Sequence, residues 1–520
     1  MKRDLKGIPR RSFLASVAVT GLLVGAGAPG VRAQGEQAPR KGGRLRVGLN
    51  AGSAKDSLDA KHALTEADIA RQNNLYDQLL CFNPDYQIEP GLAETVEASE
   101  GATVWTIRLR SGVEFHNGKA LTARDVAFTF KYLLDPKHAA PAAARLSDIN
   151  PKGIEVVDDL TLRLRFKSPF SVFRDVVADL GSAGIRVIPE GYDPANPVGT
   201  GPFKVQSFEP GVRSLFVRNE NYWRADGPYV DELEMINFTD DSARVNALLS
   251  DQIDALANLP GNQMRIIEAN PAYKLINSET GAWNPFTMRM DVAPFDDNRV
   301  RQAFRLLVNR EQMVQQVLAG QGSVANDIFA RYDPGYAAEL PQREVDIDQV
   351  KSLLKQAGQE GMSAELVTSP VSSGLVPAAE AFVQQASLAG VTLKLRQVEP
   401  ATFFSQFFLV SPLSQTYWGT RNYLLQTMDN MLPDSAFNET HWADDEWLKI
   451  VKEGFREVDD AKRAELVRAA QTIEYERGGF INWGFYNKLD VVKANVEGIV
   501  PDKGGIALTS YSFRRAWLSS

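Results

Sequence analysis

The four histidines are the first side chains to test for catalytic or metal-binding chemistry. They are widely spaced along the chain, at His62, His116, His138 and His441. Protein metal sites often use histidines a few residues apart, and no H-E-x-x-H pattern occurs in this sequence. The G-x-S-x-G motif that presents a nucleophilic serine is also missing. These absences predict that the protein is not an enzyme and that it holds neither a metal ion nor a cofactor.

A short polar and aromatic segment, residues 416–422, offers chemistry for binding. Arg421 carries a planar guanidinium whose donors suit a carboxylate or a phosphate, and it would repel an ammonium group. The alternative is that Arg421 pairs with a carboxylate of the protein itself. Trp418 and Trp283 offer aromatic faces that could stack on sugar rings, planar groups or alkyl chains. Ordinary core packing is the alternative for each tryptophan.

Neutral side chains near these residues could add hydrogen bonds to a ligand. Asn422 follows Arg421, Asn284 follows Trp283, and Tyr486 lies near the C-terminus. Polar groups of this kind orient a ligand inside a mostly apolar pocket. The predicted ligand-binding residues are therefore Trp283, Asn284, Trp418, Gly419, Arg421, Asn422 and Tyr486.

Composition and charge narrow the class of protein. The 520 residues are 44% hydrophobic and 23% charged, with 57 basic and 65 acidic residues. This composition is typical of globular domains and excludes a wholly disordered chain. An acidic chain lacks the positive surface of a nucleic-acid-binding protein. A single cysteine, Cys81, excludes an internal disulfide framework.

The first 33 residues have the pattern of an export signal. Five Lys and Arg residues precede an apolar stretch rich in glycine and alanine, and Val31-Arg32-Ala33 ends it with small residues. The Arg10-Arg11 pair predicts the twin-arginine route, while Pro9 before the pair leaves the general secretion route open. No cysteine lies near the cleavage site, so we predict a periplasmic protein without a membrane anchor.

Helical and strand patterns alternate along the rest of the chain. A helix is predicted to begin at Thr122, with Asp125 completing its cap, and another is predicted over residues 298–318. Residues 364–369, 377–389 and 391–395 read as strand, helix and strand, which indicates a parallel β-α-β unit. The predicted fold class is α/β with mixed sheets.

Several blocks of residues, in this order, are similar to one known family. Residues 105–134 contain Leu-Arg-Ser-Gly-Val-Glu-Phe-His-Asn-Gly followed by Leu-Thr-Ala-Arg-Asp-Val. Further similar blocks are residues 41–48, 197–203, 219–223 and 295–303. Over residues 41 to about 515 the chain resembles the solute-binding proteins of bacterial ABC importers, in the peptide/nickel/opine-binding group known as family 5.

This resemblance implies two lobes, a ligand cleft between them and an extra subdomain. The chain would cross between the lobes near residues 278–283 and 481–486, and two hinge segments would allow closure on a ligand. Lobe I would be discontinuous. The implied boundaries are 41–85, 196–279 and 487–520 for lobe I, 86–195 for the extra subdomain, and 280–486 for lobe II.

The sequence departs from the family at one position. In peptide-binding relatives the region that corresponds to Trp418-Thr420 is often followed by an aspartate that anchors the amine of a peptide. Here Arg421 and Asn422 stand at that place, and the first downstream aspartate is Asp429. This departure counts against simple peptide binding and favours a solute with an anionic group.

The predicted function is capture of a peptide-like or opine-like solute and its delivery to an ABC importer. The expected partners are a small ligand (an opine, a sugar conjugate or a short peptide) and the permease subunits, with a monomeric binding protein and no nucleic acid. A secreted enzyme on the same fold, and a sensory or chaperone-like binding module without a transporter, are the alternatives. The missing catalytic motifs count against the enzyme.

Overall fold

The computed structural model describes residues 38–50, 52–63 and 65–519, and the residues from 39 onward form one compact unit. The predicted export signal, with its Arg10-Arg11 pair, lies outside the described residues. The helices are α1 (Glu66–Leu75), α2 (Ala123–Leu134), α3 (Ala143–Leu146), α4 (Phe173–Ala178), α5 (Asp241–Leu249), α6 (Met264–Glu268), α7 (Asn298–Leu306), α8 (Arg310–Val317), α9 (Ile347–Gln356), α10 (Leu375–Leu388), α11 (Pro400–Thr402), α12 (Tyr423–Asn430), α13 (Asp445–Gly454) and α14 (Asp460–Arg477).

The strands form three main sheets and two short hairpin-like pairs. In chain order they are β1 (Arg44–Asn50), β2 (Leu80–Phe82), β3 (Ile88–Pro90), β4 (Ala93–Ser99), β5 (Val104–Leu109), β6 (Ile149–Asp158), β7 (Thr161–Phe166), β8 (Phe203–Glu209), β9 (Arg213–Arg218), β10 (Glu232–Phe238), β11 (Ala255–Leu256), β12 (Tyr273–Trp283), β13 (Phe286–Met288), β14 (Gly322–Val324), β15 (Ser363–Thr368), β16 (Thr392–Gln397), β17 (Leu413–Gln415), β18 (Phe480–Ile481), β19 (Gly484–Lys493), β20 (Val496–Glu497) and β21 (Trp517–Leu518). The two short pairs are β2 with β3 and β20 with β21.

The large sheet has eight strands, in the order β12-β19-β11-β1-β10-β9-β8, with β14 beside β19. Its β1 is parallel to both β10 and β11, whereas the pairs β10–β9 and β11–β19 are antiparallel. Leu45, Val47 and Leu49 of β1 are fully buried, as expected when alternate side chains of a strand point into a core. The sheet is therefore mixed, which confirms the predicted fold class.

The small sheet has five strands, in the order β16-β15-β17-β13-β18. Its β15 and β16 are parallel, and α10 connects them, which confirms the predicted β-α-β unit. A parallel pair needs a long crossover, and the helix supplies it while burying apolar residues such as Phe382.

The third sheet contains the antiparallel strands β4, β5, β7 and β6, in that order, and we call it the antiparallel sheet. The helix α2 begins after Thr122, as predicted. The Asp125 carboxylate accepts from the Thr122 N–H at 2.9 Å and completes a capping box. The buried apolar residues of α2 include Val126, Phe130 and Leu133.

Two long strands carry the chain between the large and small sheets. β12 and β19 are antiparallel neighbours, and their regular pairing runs as far as Glu279 opposite Asn487. A bulge follows, after which Trp283 lies opposite Phe485. Only residues 284–285 separate β12 from β13 of the small sheet, and only residues 482–483 separate β18 from β19. The segments predicted to cross between lobes, 278–283 and 481–486, lie at these two passages.

The helix predicted over residues 298–318 is divided into α7 and α8. The side chain of Asn309 accepts from the Gln312 N–H at 2.9 Å and thereby caps a new helix. Such a cap satisfies one of the free N–H groups at a helix start. The apolar spacing runs through the break because both helices bury residues in one core, among them Val300, Phe304, Met313 and Val314.

Two glycines with the same left-handed backbone give a matched test of how the C-terminal segment is held. Gly118 and Gly498 both have a φ of 82°. A Cβ at Gly118 would meet no atom within 4 Å, whereas a Cβ at Gly498 would lie 1.9 Å from the carbonyl oxygen of Arg515. We expect Gly118→Ala to lower the free energy of unfolding by about 1–2 kcal/mol, from backbone strain alone. Gly498→Ala should cost roughly 1–3 kcal/mol more, because the backbone at residue 515 must move.

Urea unfolding followed by circular dichroism measures both losses. Equal losses for the two variants would contradict the close packing of residue 515 against Gly498.

Candidate functional site at the first strand crossing

Trp283 and Trp418 lie side by side where β12 leaves the large sheet. The Trp283 N–H donates to the Trp418 carbonyl at 3.0 Å, and the Trp418 N–H donates to the Trp283 carbonyl at 2.9 Å. These two bonds hold residues 416–422 against the crossing strand. The fold therefore brings the predicted residues Gly419 and Arg421 to the same place as Trp283.

Thr420, inside that segment, joins three parts of the molecule. Its hydroxyl accepts from the Gly281 N–H at 2.9 Å and donates to the Lys503 carbonyl at 2.9 Å. The Tyr86 hydroxyl donates to the Thr420 carbonyl at 3.1 Å. Gly281 belongs to β12, Lys503 to the C-terminal segment and Tyr86 to the turn between β2 and β3. The backbone next to Arg421 is therefore fixed from three sides.

Arg421 belongs to a network of four charged side chains. Its Nη1 atom lies 2.7 Å from Asp429 Oδ2, and Arg145 Nη2 lies 2.8 Å from the same oxygen. Arg145 also pairs with Asp179. Arg145 is in α3 and Asp429 is in α12, so the network ties the region of the antiparallel sheet to the region of the small sheet. Two guanidiniums and two carboxylates make the network neutral.

The two guanidiniums of this network lower the pKa of Asp179. Burial acts to raise this pKa, but the positive charges of Arg145 and Arg421 and the N–H of Gly181 outweigh burial. The pKa of Asp179 therefore lies below its ordinary value. Asp179 stays ionised at neutral pH and holds Arg145 in place.

Arg421 pairs with a carboxylate of the protein, which is the alternative that the sequence left open. Among the described residues, Asp429 is its ion-pair partner, and Nη1 is the nitrogen that faces it. The side chain remains 24% exposed and lies over the Trp418 ring, with its guanidinium carbon 5.8 Å from the ring centroid. A Cβ at Gly419 would meet no atom within 4 Å. The guanidinium therefore keeps donors that Asp429 does not use, and the backbone at Gly419 is not packed against a neighbour.

Trp418 is held by a buried acid. Its indole N–H donates to Glu439 Oε1 at 3.0 Å. Burial raises the pKa of Glu439 well above its ordinary value, and the indole hydrogen bond only partly offsets this effect. Phe437, itself 46% exposed, lies edge-on to Trp418 at a centroid distance of 6.2 Å. The indole is thus fixed in orientation while part of its surface remains open, as a stacking platform requires.

Trp283 does not present a free face. Its ring is 1% exposed, is stacked on Phe329 at 5.0 Å and meets the edge of Phe480 at 5.2 Å. The expectation of a ligand platform at this residue is corrected by the structure, because apolar residues enclose the ring. Trp283 contributes its backbone to the bridge with Trp418 and its side chain to the core.

The two predicted asparagines lie in different surroundings. Asn284 is 2% exposed, and its amide donates to the Ser373 carbonyl at 3.0 Å, just before α10. The Asn422 amide donates to Asp175 of α4. The side-chain oxygens of both asparagines lack a hydrogen-bond partner in the described part of the chain. Asn422 therefore lies beside Arg421 and α4, while Asn284 lies inside the region of the small sheet.

Tyr486 approaches the same region from the large sheet. It lies on β19 opposite Gly322 of β14, and the Thr280 hydroxyl donates to its carbonyl at 2.6 Å. Burial raises the pKa of its phenol, and the charges of Lys488, Glu66 and Tyr417 also act on it. Tyr486 is thereby connected to the segment that carries Trp418 and Arg421, because Gly281, next to Thr280, donates to the Thr420 hydroxyl.

A cavity of about 740 Å³ lies between α4 and the β2–β3 turn on one side and α12 and α14 on the other. Of the predicted site residues, Asn422 lines it. Its aromatic lining residues are Phe82, Tyr86, Trp105 and Tyr332, and its charged ones include Arg174, Asp175, Asp333 and Arg463.

Sequence reasoning missed Arg145, Asp175 and Asp179. None of them belongs to a motif that signals binding. Arg145 stands in an alanine-rich run and Asp175 stands in the apolar helix α4. A charged residue in an otherwise apolar segment is the signal that could have found them, because burial of a charge requires a partner.

Arg145 offers a direct test of the network. Arg145 is the buried member of the network, and Arg145→Met would leave the partly buried Asp179 and Asp429 with fewer positive partners. We expect the free energy of unfolding to fall by about 3–5 kcal/mol. Arg477→Met is the control, because Arg477 pairs with Asp444 and Glu446 while 30% of its side chain is exposed. This control should cost about 1 kcal/mol or less. Similar losses for both variants in urea unfolding would contradict a buried, strongly coupled network.

Among the described residues, no helix is both long enough and apolar enough to span a membrane.

Comparisons with known proteins agree with this architecture. The family model described as bacterial extracellular solute-binding proteins, family 5 middle, matches residues 87–444. The di/tripeptide-binding protein 2 of Pseudomonas aeruginosa (strain UCBPP-PA14) is 26% identical over 472 residues, which cover 82% of this chain and 87% of that protein.

Two solved structures have the same fold over 92% of this chain and 99% of theirs. One is the periplasmic binding protein AgaA from A. tumefaciens R10 in complex with agropinic acid, with a TM-score of 0.75 at 23% identity. The other is DppA, an ABC transporter-associated periplasmic binding protein from Helicobacter pylori, in complex with the peptide STSA, with a TM-score of 0.75 at 21% identity. These likenesses confirm the predicted two-lobed fold. Because the family model spans more than half of the sequence, the chain belongs to family 5 of the bacterial extracellular solute-binding proteins, which are binding proteins of ABC importers and not enzymes.

Proposed function

We propose that the protein captures a peptide-like or opine-like solute with an anionic group beside Trp418 and Arg421, and delivers it in the periplasm to the permease of an ABC importer. The observation that carries this proposal is the exposure of the Arg421 side chain and the contacts that it makes. Its side chain is 24% exposed, uses one nitrogen for Asp429 and lies over the Trp418 ring. A guanidinium in such surroundings can accept a planar anion in the geometry that carboxylates favour.

Asp429 allows Arg421 to change partners without leaving a buried charge alone. Arg145 contacts the same oxygen of Asp429 that faces Arg421, at 2.8 Å. When an anion takes the free donors of Arg421, Asp429 keeps Arg145 as its counter-ion. Binding therefore avoids the penalty of an unpaired buried carboxylate.

The relatives support the class of solute. One is named for di- and tripeptides, and two structures of the same fold were solved with agropinic acid and with a peptide. Arg421 in place of an amine anchor favours the anionic members of such a set. Trp418, held by Glu439, supplies a surface for the apolar or planar part of the solute.

The two crossing strands support the proposed delivery to a transporter. β12 and β19 lie next to the proposed site. Two residues connect β12 to the small sheet, and two residues connect the small sheet to β19. Short connections of this kind act as hinges in two-lobed binding proteins. A solute that contacts both lobes shifts the population toward the closed form, which the permease then recognises.

Native mass spectrometry of residues 34–520, purified from the periplasm of the native host, tests this proposal. We expect one small molecule per protein, which bears a carboxylate or a phosphate and is released on denaturation. A stoichiometric solute without an anionic group would contradict the proposed chemistry. An empty protein whose melting temperature is not raised by opines, sugar conjugates or short peptides would contradict capture itself.

Substitution of Arg421 tests the assigned residue. We expect Arg421→Ala to weaken binding of the anionic solute more than tenfold, on the order of 1.5–3 kcal/mol for a lost charged hydrogen bond. Titration calorimetry measures the change. Arg299→Ala is the control, because Arg299, at the start of α7, is 48% exposed and its side chain contacts Asp297 and the Gln356 carbonyl. Unchanged affinity in Arg421→Ala would remove Arg421 from the site.

A further inference from the structure

We infer that the solute has a bulky apolar group, such as an aromatic ring, and that this group lies on a row of rings beside Arg421. The row consists of Trp418, Phe437, Phe408 and Phe404, and we call it the aromatic row. This inference rests on the proposed function, because the anion on Arg421 and the apolar group belong to one solute. It defines that solute as an amphipathic anion, such as an opine or a conjugate of an apolar amino acid.

The rings of the aromatic row are in contact one after another. The centroids of Trp418 and Phe437 are 6.2 Å apart, and those of Phe437 and Phe408 are 6.1 Å apart. The centroids of Phe408 and Phe404 are 5.6 Å apart. The row begins at the proposed anion site, because the guanidinium carbon of Arg421 lies 5.8 Å from the Trp418 centroid. A continuous series of measured contacts therefore joins the guanidinium to Phe404.

The exposed aromatic side chains of the described residues are concentrated in this region. Phe404 is 48% exposed, Phe437 is 46% exposed, and Tyr417, which precedes Trp418, is 43% exposed. Among the described residues, no other Phe, Tyr or Trp side chain is exposed to a comparable degree. Folded proteins bury most of their large apolar side chains, and exposed ones that are grouped together mark a binding surface. The grouping therefore indicates that the aromatic row contacts an apolar partner.

The backbone that carries Phe404 and Phe408 has an unfavourable conformation. Residues Phe403–Phe407 form one turn of π-helix directly after α11, and Leu409 follows with a φ of 64°. A π-helical turn is rare and is frequent at functional sites, and a leucine in the left-handed region is strained. The Nε2 atom of His441 lies 3.0 Å from the Leu409 carbonyl oxygen and holds this strained residue. The fold thus maintains a costly segment that keeps two rings at the surface.

Trp418 turns its polar edge into the protein and leaves carbon surface for a ligand. Its indole N–H donates to Glu439, which is 4% exposed. Phe437 lies two residues before Glu439, so one short segment both anchors the indole and supplies the next ring of the row. The fixed rings lose little freedom when an apolar group covers them, which favours binding.

The size of this surface fits one group of a small solute better than a protein partner. About half of each side chain of Phe404 and Phe437 is exposed, so the two offer on the order of 200 Å² of aromatic surface. A stable protein interface buries about 800 Å² on each partner. One ring or branched alkyl group covers a much smaller area, and the guanidinium of Arg421 fixes the charged end of the same molecule.

Two opine-like anions that differ only in their apolar group test the inference on the mature protein, residues 34–520. N-(1-carboxyethyl)phenylalanine and N-(1-carboxyethyl)alanine carry the same two carboxylates and the same amine, and only the first has a ring. We expect the wild type to bind the phenylalanine derivative at least tenfold more tightly in titration calorimetry, because its ring is removed from water. Equal affinities, a preference for the alanine derivative, or binding of neither probe would overturn the inference.

Substitutions separate the apolar contact from the anion contact. Phe437→Ala should weaken binding of the phenylalanine derivative at least fivefold and change that of the alanine derivative less than twofold. Arg421→Ala should weaken both probes by the same factor. Leu388→Ala is the matched control, because Leu388 is an apolar residue at the end of α10 and is 68% exposed. It should change neither affinity by as much as twofold.

An unchanged preference for the phenylalanine derivative in Phe437→Ala would assign the aromatic row to another partner, such as a protein, and would overturn the inference. The co-purified solute distinguishes this failure from failure of the proposed function. An anionic solute that is polar throughout would overturn the inference and leave the proposed function standing. An empty protein whose melting temperature is not raised by opines, sugar conjugates or short peptides would remove both.

Discussion

The pairing of β12 with β19 is the constraint on which the rest of the structure depends. These strands lie together at one edge of the large sheet. β12 ends at Trp283, which lies opposite Phe485 near the start of β19. The proposed solute site lies at the two passages, where the chain runs from one sheet into the other. The backbone bridge between Trp283 and Trp418 extends this arrangement and places Arg421 beside the passage.

The charges near that passage account for the proposed binding of an anion by a chain that is acidic overall. The chain has a net charge of −8, so long-range attraction for anions is absent. The local network of Arg145, Arg421, Asp179 and Asp429 is neutral and partly buried. A fixed guanidinium in surroundings of low dielectric attracts an anion at short range. Charges on the distant surface are screened and contribute little. Selectivity then depends on which groups of a solute replace or supplement contacts that the protein already makes.

Local sequence patterns were sufficient for much of the fold and for part of the site. The cap at Thr122 and Asp125 and the strand-helix-strand unit around α10 depend on neighbouring residues, so their spacing predicts them. The break between α7 and α8 at Asn309 was not predicted, because the apolar spacing continues through it. The burial of Trp283 and the pairing of Arg421 with Asp429 depend on which residues meet across the fold. One sequence contains no direct record of such contacts, which is also why Asp175 and Arg145 were not found.

A crystal structure of the mature protein with its own co-purified solute tests the central claim most directly. The account predicts an anionic group of the solute within hydrogen-bond distance of the Arg421 guanidinium, with Arg145 still paired to Asp429 and the Trp418 ring covering part of the solute. A solute bound elsewhere, with Arg421 in contact with Asp429 alone, would contradict it.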